Sequence, residues 1–180
     1  WYVKNTQEVF WCLRVDTGVV SASENEIELA FNDAKDYWRS EASESRLAAA
    51  SFSIATQKFS RVDCTDGRVT LRIIFGRSLL NKEEAGFLKD PDKYVGVTVR
   101  QSYDTKHLRA SGFIYFSADQ DPNNKKILPL AWSRPVILRY ALKHELGHVF
   151  GIPHTGSGLM SEIFLDQIMK PEMVDLFVQL

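Results

Sequence analysis

Residues His144-Glu145-Leu146-Gly147-His148 and Gly151-Ile152-Pro153-His154 carry the clearest chemistry in this chain. They set three imidazoles and one carboxylate close together. On a helix, residues four apart lie one turn above each other on one face, so His144 and His148 can grip one ion from one side. Glu145 sits beside the first of them, where its carboxylate can reach a water at that ion. Gly151 suits a helix end, because it reaches left-handed dihedrals without a Cβ penalty. The chain can then turn back and bring in His154 as a third ligand. Three protein ligands leave a fourth position open, which is the pattern of a catalytic rather than a structural zinc. H-E-x-x-H alone is short enough to fall by chance on a core helix. The glycine and third histidine in register, with Met160 following, make the longer pattern specific.

The elements that must position these residues are legible from periodicity and turn chemistry. Phe10–Val15 reads as a first strand, ended by Asp16-Thr17-Gly18. Ser23 with Glu26 forms a capping box, and Ile27, Ala30, Phe31, Ala34 and Trp38 then recur at helical spacing with an apolar face for the core. Lys58–Val62 and Arg68–Phe75 read as strands, the latter stopped by Gly76. Lys82–Leu88 reads as a short helix, and Val95–Val99, Ala110–Ser117 and Lys126–Trp132 as further strands. Ser133-Arg134-Pro135 starts the helix of the histidines, with proline where its missing N–H is harmless. That helix carries Val136, Leu138, Ala141, Leu142, Val149 and Phe150 into the core. Lys170-Pro171 opens a last helix through Leu180. The order is that of an α/β or α+β fold, with strands too few and short for a barrel.

One hundred and eighty residues fit a single domain, 1–180, that can bury its own core. A net charge of −1 without a long basic block argues against nucleic acid or an anionic membrane as partner. No apolar run reaches bilayer-spanning length. The chain opens on Trp1 without a signal peptide and reads as a mature or trimmed form. Cys12 and Cys64 belong to no C-x-x-C pair; in a secreted protein they could bridge, and as free thiols they would be small buried hydrophobes.

With these residues in hand, the chain resembles a metzincin zinc metallopeptidase catalytic domain and is most similar to the matrixins. The pattern His144-Glu145-x-x-His148-x-x-Gly151-x-x-His154 carries the resemblance, and Gly158-Leu159-Met160 is similar to the segment ending in the family's Met-turn. The resemblance implies a zincin-like α+β fold. Its features would be a twisted, mixed, mostly parallel sheet with an antiparallel edge strand, an N-terminal packing helix, the zinc helix and a C-terminal helix. An upper part would run to about 151 and a small lower part from about 152. It implies one catalytic Zn2+ on His144, His148 and His154, Glu145 as general base and acid, and Met160 as an apolar floor rather than a ligand. An extended polypeptide substrate would pair with an edge strand above the cleft, for which Gly112, Phe113, Ile114 and Tyr115 are the first choice and Val95–Val99 the second. Asp119, Asp121, Asn123 and Asn124 form an oxygen-rich loop that could hold Ca2+ as matrixins do, although Asp-Pro-Asn-Asn is also turn chemistry.

Several residues depart from the matrixin pattern. The connection from His154 to Met160 is short. Only His107 remains beyond the zinc three, so no second zinc site of the matrixin type is expected, and His107 reads as a surface residue. Ser161-Glu162-Ile163-Phe164 stands where the family has a proline–aromatic segment. The expectation is a secreted or periplasmic, monomeric zinc endopeptidase. The competing readings are a zinc-bearing peptide-binding module or pseudoenzyme, and a zinc hydrolase of a non-protein amide such as a cell-wall link.

Overall fold

The computed structural model describes residues 8–44, 54, 56–106, 109–122, 124 and 126–170. Five strands and four helices are found among them: β1 (Glu8–Val15), α1 (Glu24–Glu44), β2 (Lys58–Arg61), β3 (Leu71–Phe75), α2 (Lys82–Leu88), β4 (Gly96–Asp104), β5 (Arg109–Phe116), α3 (Pro135–Val149) and α4 (Phe164–Ile168). The sheet runs β2-β1-β3-β5-β4. Its first three pairings are parallel, and β4 joins β5 antiparallel. The fold is α+β, as the element order implied.

Parallel strands covered on both faces read as continuous apolar runs. Leu71, Ile73, Ile74 and Phe75 of β3 are all fully buried. Odd positions of β3 join Ile114 and Phe116 of β5 in the large core beneath α1 and α3. Ile74 points the other way and packs with Phe113, Tyr115 and Leu88, with Val97 and Val99 alongside. The sheet therefore has a helix-covered face that carries α3 and a second face remote from it.

The capping box at the start of α1 is formed. Glu26 Oε2 accepts from Ser23 N at 2.8 Å, and Glu26 N donates to Ser23 Oγ at 3.3 Å. The five residues expected in its apolar stripe are all buried. Trp38 Nε1 donates to Lys143 O at 2.8 Å, which ties α1 to α3 just before the first histidine. Cys12 and Cys64 are joined in a disulfide with Cα atoms 5.2 Å apart. It holds β1 to the loop that follows β2.

Three readings of the sequence need correction. Residues 126–132 form no strand. Ala131 N bonds Leu128 O in a turn, Leu130 takes a φ of 57°, and Trp132 N turns to the Asp119 carboxylate instead of to a ladder. On α3 it is Ile137, not Val136, that is buried with Leu138. Arg109–Phe116 is an interior strand, and among the described residues the edges of the sheet are β2 and β4. The expected last helix past Lys170 and the residue His107 lie outside the described residues. No helix among the described residues is long and apolar enough to cross a membrane.

Candidate metal centre

Pro135 occupies the first turn of α3, and the helix runs through the histidines to Val149. It ends in a Schellman motif: Ile152 N bonds Gly147 O at 3.0 Å and Gly151 N bonds His148 O at 2.9 Å. The motif needs a left-handed residue, and Gly151 supplies it with a φ of 85°. The reversal lays Ile152 against the helix it has just left. Its carbonyl oxygen lies 2.9 Å from His148 Nδ1. Two residues on, His154 Nε2 comes within 3.0 Å of His148 Nε2, and His144 Nε2 is 3.2 Å from the same atom.

A second turn supports His144. Thr155 N donates to Met160 O at 2.8 Å and Ser161 N to Gly158 O at 3.0 Å, with Gly158 at a φ of 76°. This turn places Leu159 O at 2.6 Å from His144 Nδ1. Phe164 stacks on the His144 ring with an interplanar angle of 7°. Met160 is buried beneath the helix. A Cβ on Gly147 would fall 2.7 Å from Met160 Sδ, so the absence of a side chain at 147 is what lets the methionine lie so close.

The hydrogen bonds settle the tautomers. A carbonyl oxygen can only accept, so His144 and His148 carry their protons on Nδ1 and present bare Nε2 lone pairs. Two such lone pairs facing each other at 3.2 Å repel unless a positive charge lies between them. Burial pushes the pKa of His144 down to about 4 and also lowers that of His148, so protonation of these rings is disfavoured. Neutral, oriented imidazoles with carbonyl-bound Nδ1 atoms are the donor set a transition metal takes. His144, His148 and His154 could bind a metal ion, their ligating atoms all lying within 4.8 Å of one another. No other group of this kind occurs among the described residues.

Glu145 is 2% exposed and faces β4. Thr98 Oγ1 lies 2.6 Å from its Oε2 and 2.9 Å from its main-chain oxygen. Burial drives the carboxyl pKa up to about 8, against the opposing pull of the Thr98 hydroxyl. The histidines and Glu145 floor a cleft of about 510 Å³. Tyr94–Thr98 forms one wall, and Glu162, Leu165 and Asp166 form the other.

The expected substrate residues are not at this cleft. Gly112, Phe113, Ile114 and Tyr115 lie inside the sheet between β3 and β4, and Phe113 and Tyr115 point to the face away from α3. The second choice, Val95–Val99, is the stretch that lines the cleft. Phe113–Phe116 is a continuous apolar run and Val95–Val99 an alternating one, a difference that fits an interior and an edge strand.

Asp119 and Asp121, expected as calcium ligands, are not among the residues that line this cleft. Asp119 is buried, and its two oxygens accept from Ser21 N at 2.9 Å, Trp132 N at 2.8 Å and Ser21 Oγ. Its carboxylate braces the loop before α3 against the segment that leads to α1. Asp121 opens a turn whose main-chain oxygen accepts from Asn124 N at 3.0 Å, and it joins no cluster of carboxylates among the described residues. Asn123 lies outside those residues. Gly96 and Thr98 were read only as part of the Val95–Val99 strand and Phe164 only as a departure from the matrixin pattern, because nothing local marks a threonine, glycine or phenylalanine that meets a helix only in three dimensions. Compared with protein-family models and with curated proteins, the chain matches none.

Proposed function

We propose that this chain is a zinc-dependent endopeptidase of the metzincin, matrixin-like kind. The observation that carries the reading is the convergence of three Nε2 atoms, two of them deprotonated by carbonyl bonds at Nδ1, in the floor of an open cleft. All-nitrogen ligation by three imidazoles suits Zn2+ and leaves room for solvent or substrate. When bound, the ion supplies Lewis acidity, polarising the peptide carbonyl and lowering the pKa of water from 15.7 to about 7.

The chain's own residues do the rest. His144, His148 and His154 hold the ion. Glu145 takes the proton of the attacking water and hands it to the leaving amine. Its carboxyl is buried, so a proton taken there is shielded from bulk solvent until the amine departs. The free edge of β4 offers main-chain hydrogen bonds to an extended peptide, and the cleft below it takes a side chain. Export to an oxidising compartment belongs to the same proposal, and the Cys12–Cys64 bridge supports it.

The test is cleavage of a quenched-peptide library with elemental analysis of the same samples. The wild-type chain should carry one zinc and lose activity to a chelator. Glu145→Ala should keep the zinc and lose about 10²- to 10⁴-fold in kcat. His144→Ala should lose the zinc. Wild-type-like turnover in Glu145→Ala, or no chelator-sensitive cleavage by the wild type, refutes the proposal.

A further inference from the structure

The Glu145 carboxylate is clamped by two residues of the edge strand. Oε2 meets the Thr98 hydroxyl at 2.6 Å. Oε1 lies against Gly96, where a Cβ would come within 3.0 Å of it and within 2.8 Å of Phe116. Gly96 and Thr98 are two apart and so share a face of β4. Their partners in β5, Phe116 and Ile114, place that face toward α3. The Thr98 hydroxyl has one hydrogen and two oxygens of Glu145 within reach. A bond to the carboxylate is the shorter and, when that group is ionised, the stronger of the two.

The main chain at the same two residues faces outward. Ser117 N donates to Val95 O, which fixes the phase of the antiparallel ladder. By its two-residue alternation, Val95 and Val97 turn their N–H and C=O groups to β5, and Gly96 and Thr98 turn theirs to the free edge. The residues that hold the carboxylate are thus those a docked peptide strand would meet first.

We infer that Thr98 is a positioning residue, whose hydroxyl fixes the rotamer of Glu145 relative to a peptide laid along β4. Substrate docking and orientation of the base are then set by one short piece of strand. The inference rests on the peptidase reading.

Thr98→Val keeps the shape and removes the hydroxyl, and Thr98→Ser keeps the hydroxyl. Loss of a hydrogen bond to a charged group corresponds to about 10- to 100-fold. Thr98→Val should lose that much in kcat with zinc content and KM unchanged, and Thr98→Ser should recover to within about threefold of wild type. In protein with 13C-labelled glutamate side chains, the Glu145 carboxyl resonance should move in Thr98→Val and return in Thr98→Ser. If Thr98→Val does not fold, Thr98→Ala carries the same expectation. Unchanged kcat in an active Thr98→Val overturns the inference alone. So does equal loss in valine and serine variants, or a loss confined to KM and stability, which is what a mere staple between β4 and α3 would give. A wild type without zinc-dependent cleavage in the same assay overturns the peptidase reading and this inference with it.

Discussion

Replacing Gly147 with alanine sets helix propensity against packing. In a helix interior the change from glycine is worth about 1 kcal/mol in favour of alanine. Here the new Cβ would stand 2.7 Å from Trp38 Cζ2, 2.7 Å from Met160 Sδ and 2.9 Å from Met160 Cε. Ordinary carbon contacts are about 3.5–4.0 Å, so the methyl is pinched from two sides. The Trp38 ring is held by its bond to Lys143 O, which leaves the thioether to yield. Overpacking of this kind costs about 1–3 kcal/mol, so the expected net effect is a loss of about 1 kcal/mol. The shift does not stop at Met160. Leu159, the residue before it, supplies the carbonyl that orients His144. Disturbing such an outer partner lowers metal affinity by about 10- to 100-fold. Urea unfolding of metal-free protein gives the first quantity, and zinc competition with a chromogenic chelator gives the second. The double variant Gly147→Ala/Met160→Ala should show a favourable coupling of about 1 kcal/mol or more, because the methyl fills part of the cavity left by the methionine. A Gly147→Ala protein that is more stable than wild type with unchanged zinc affinity would refute the pinch, and propensity would be the governing term.

Two further expectations concern stability. The disulfide links residues 52 apart in sequence, and loop-closure entropy for such a loop is worth about 4 kcal/mol, so Cys12→Ala/Cys64→Ala should lose about that much in urea unfolding. A loss below about 1 kcal/mol would mean that the loop stays ordered in the unfolded chain. Glu145 and His144 give opposite pH dependences in metal-free protein. The folded pKa of Glu145, about 8, lies above its ordinary 4.5, so the unfolded chain releases the proton first. Its contribution is full below about pH 4.5 and is lost as pH rises through 8. His144, lowered to about 4 from 6.5, contributes fully above about pH 6.5 and loses that contribution as pH falls toward 4. Metal-free Glu145→Gln should therefore match wild type near pH 4 and exceed it by about 1 kcal/mol or more at pH 8. Parallel stability curves for the two proteins would show that burial does not raise the Glu145 pKa.

The parts of the site that the sequence disclosed are those built by one continuous segment. His144, Glu145 and His148 are spaced by helix pitch, and Gly151 marks the reversal that returns His154, so local geometry alone converges the three rings. The capping box at Ser23 and the apolar stripe of α1 were legible for the same reason. What could not be read was set by strand order. Gly112–Tyr115 and Val95–Val99 are both short strand-forming runs, and a single antiparallel addition to a parallel sheet decides which one meets the cleft. Asp119 resembled a calcium ligand because oxygen-rich turns and cation loops share a composition. Its donors, Ser21 and Trp132, arrive from 98 and 13 residues away. The same argument applies to Thr98, which lies 47 residues from the carboxylate it meets. A metal motif fixes which atoms bind the ion, because one helix and one turn specify it. The orientation of the neighbouring Glu145 carboxylate depends on an edge strand that the motif does not contain. Chains with identical His-Glu-x-x-His patterns can therefore differ in how well the glutamate is held, and in this chain residues 96 and 98 hold it.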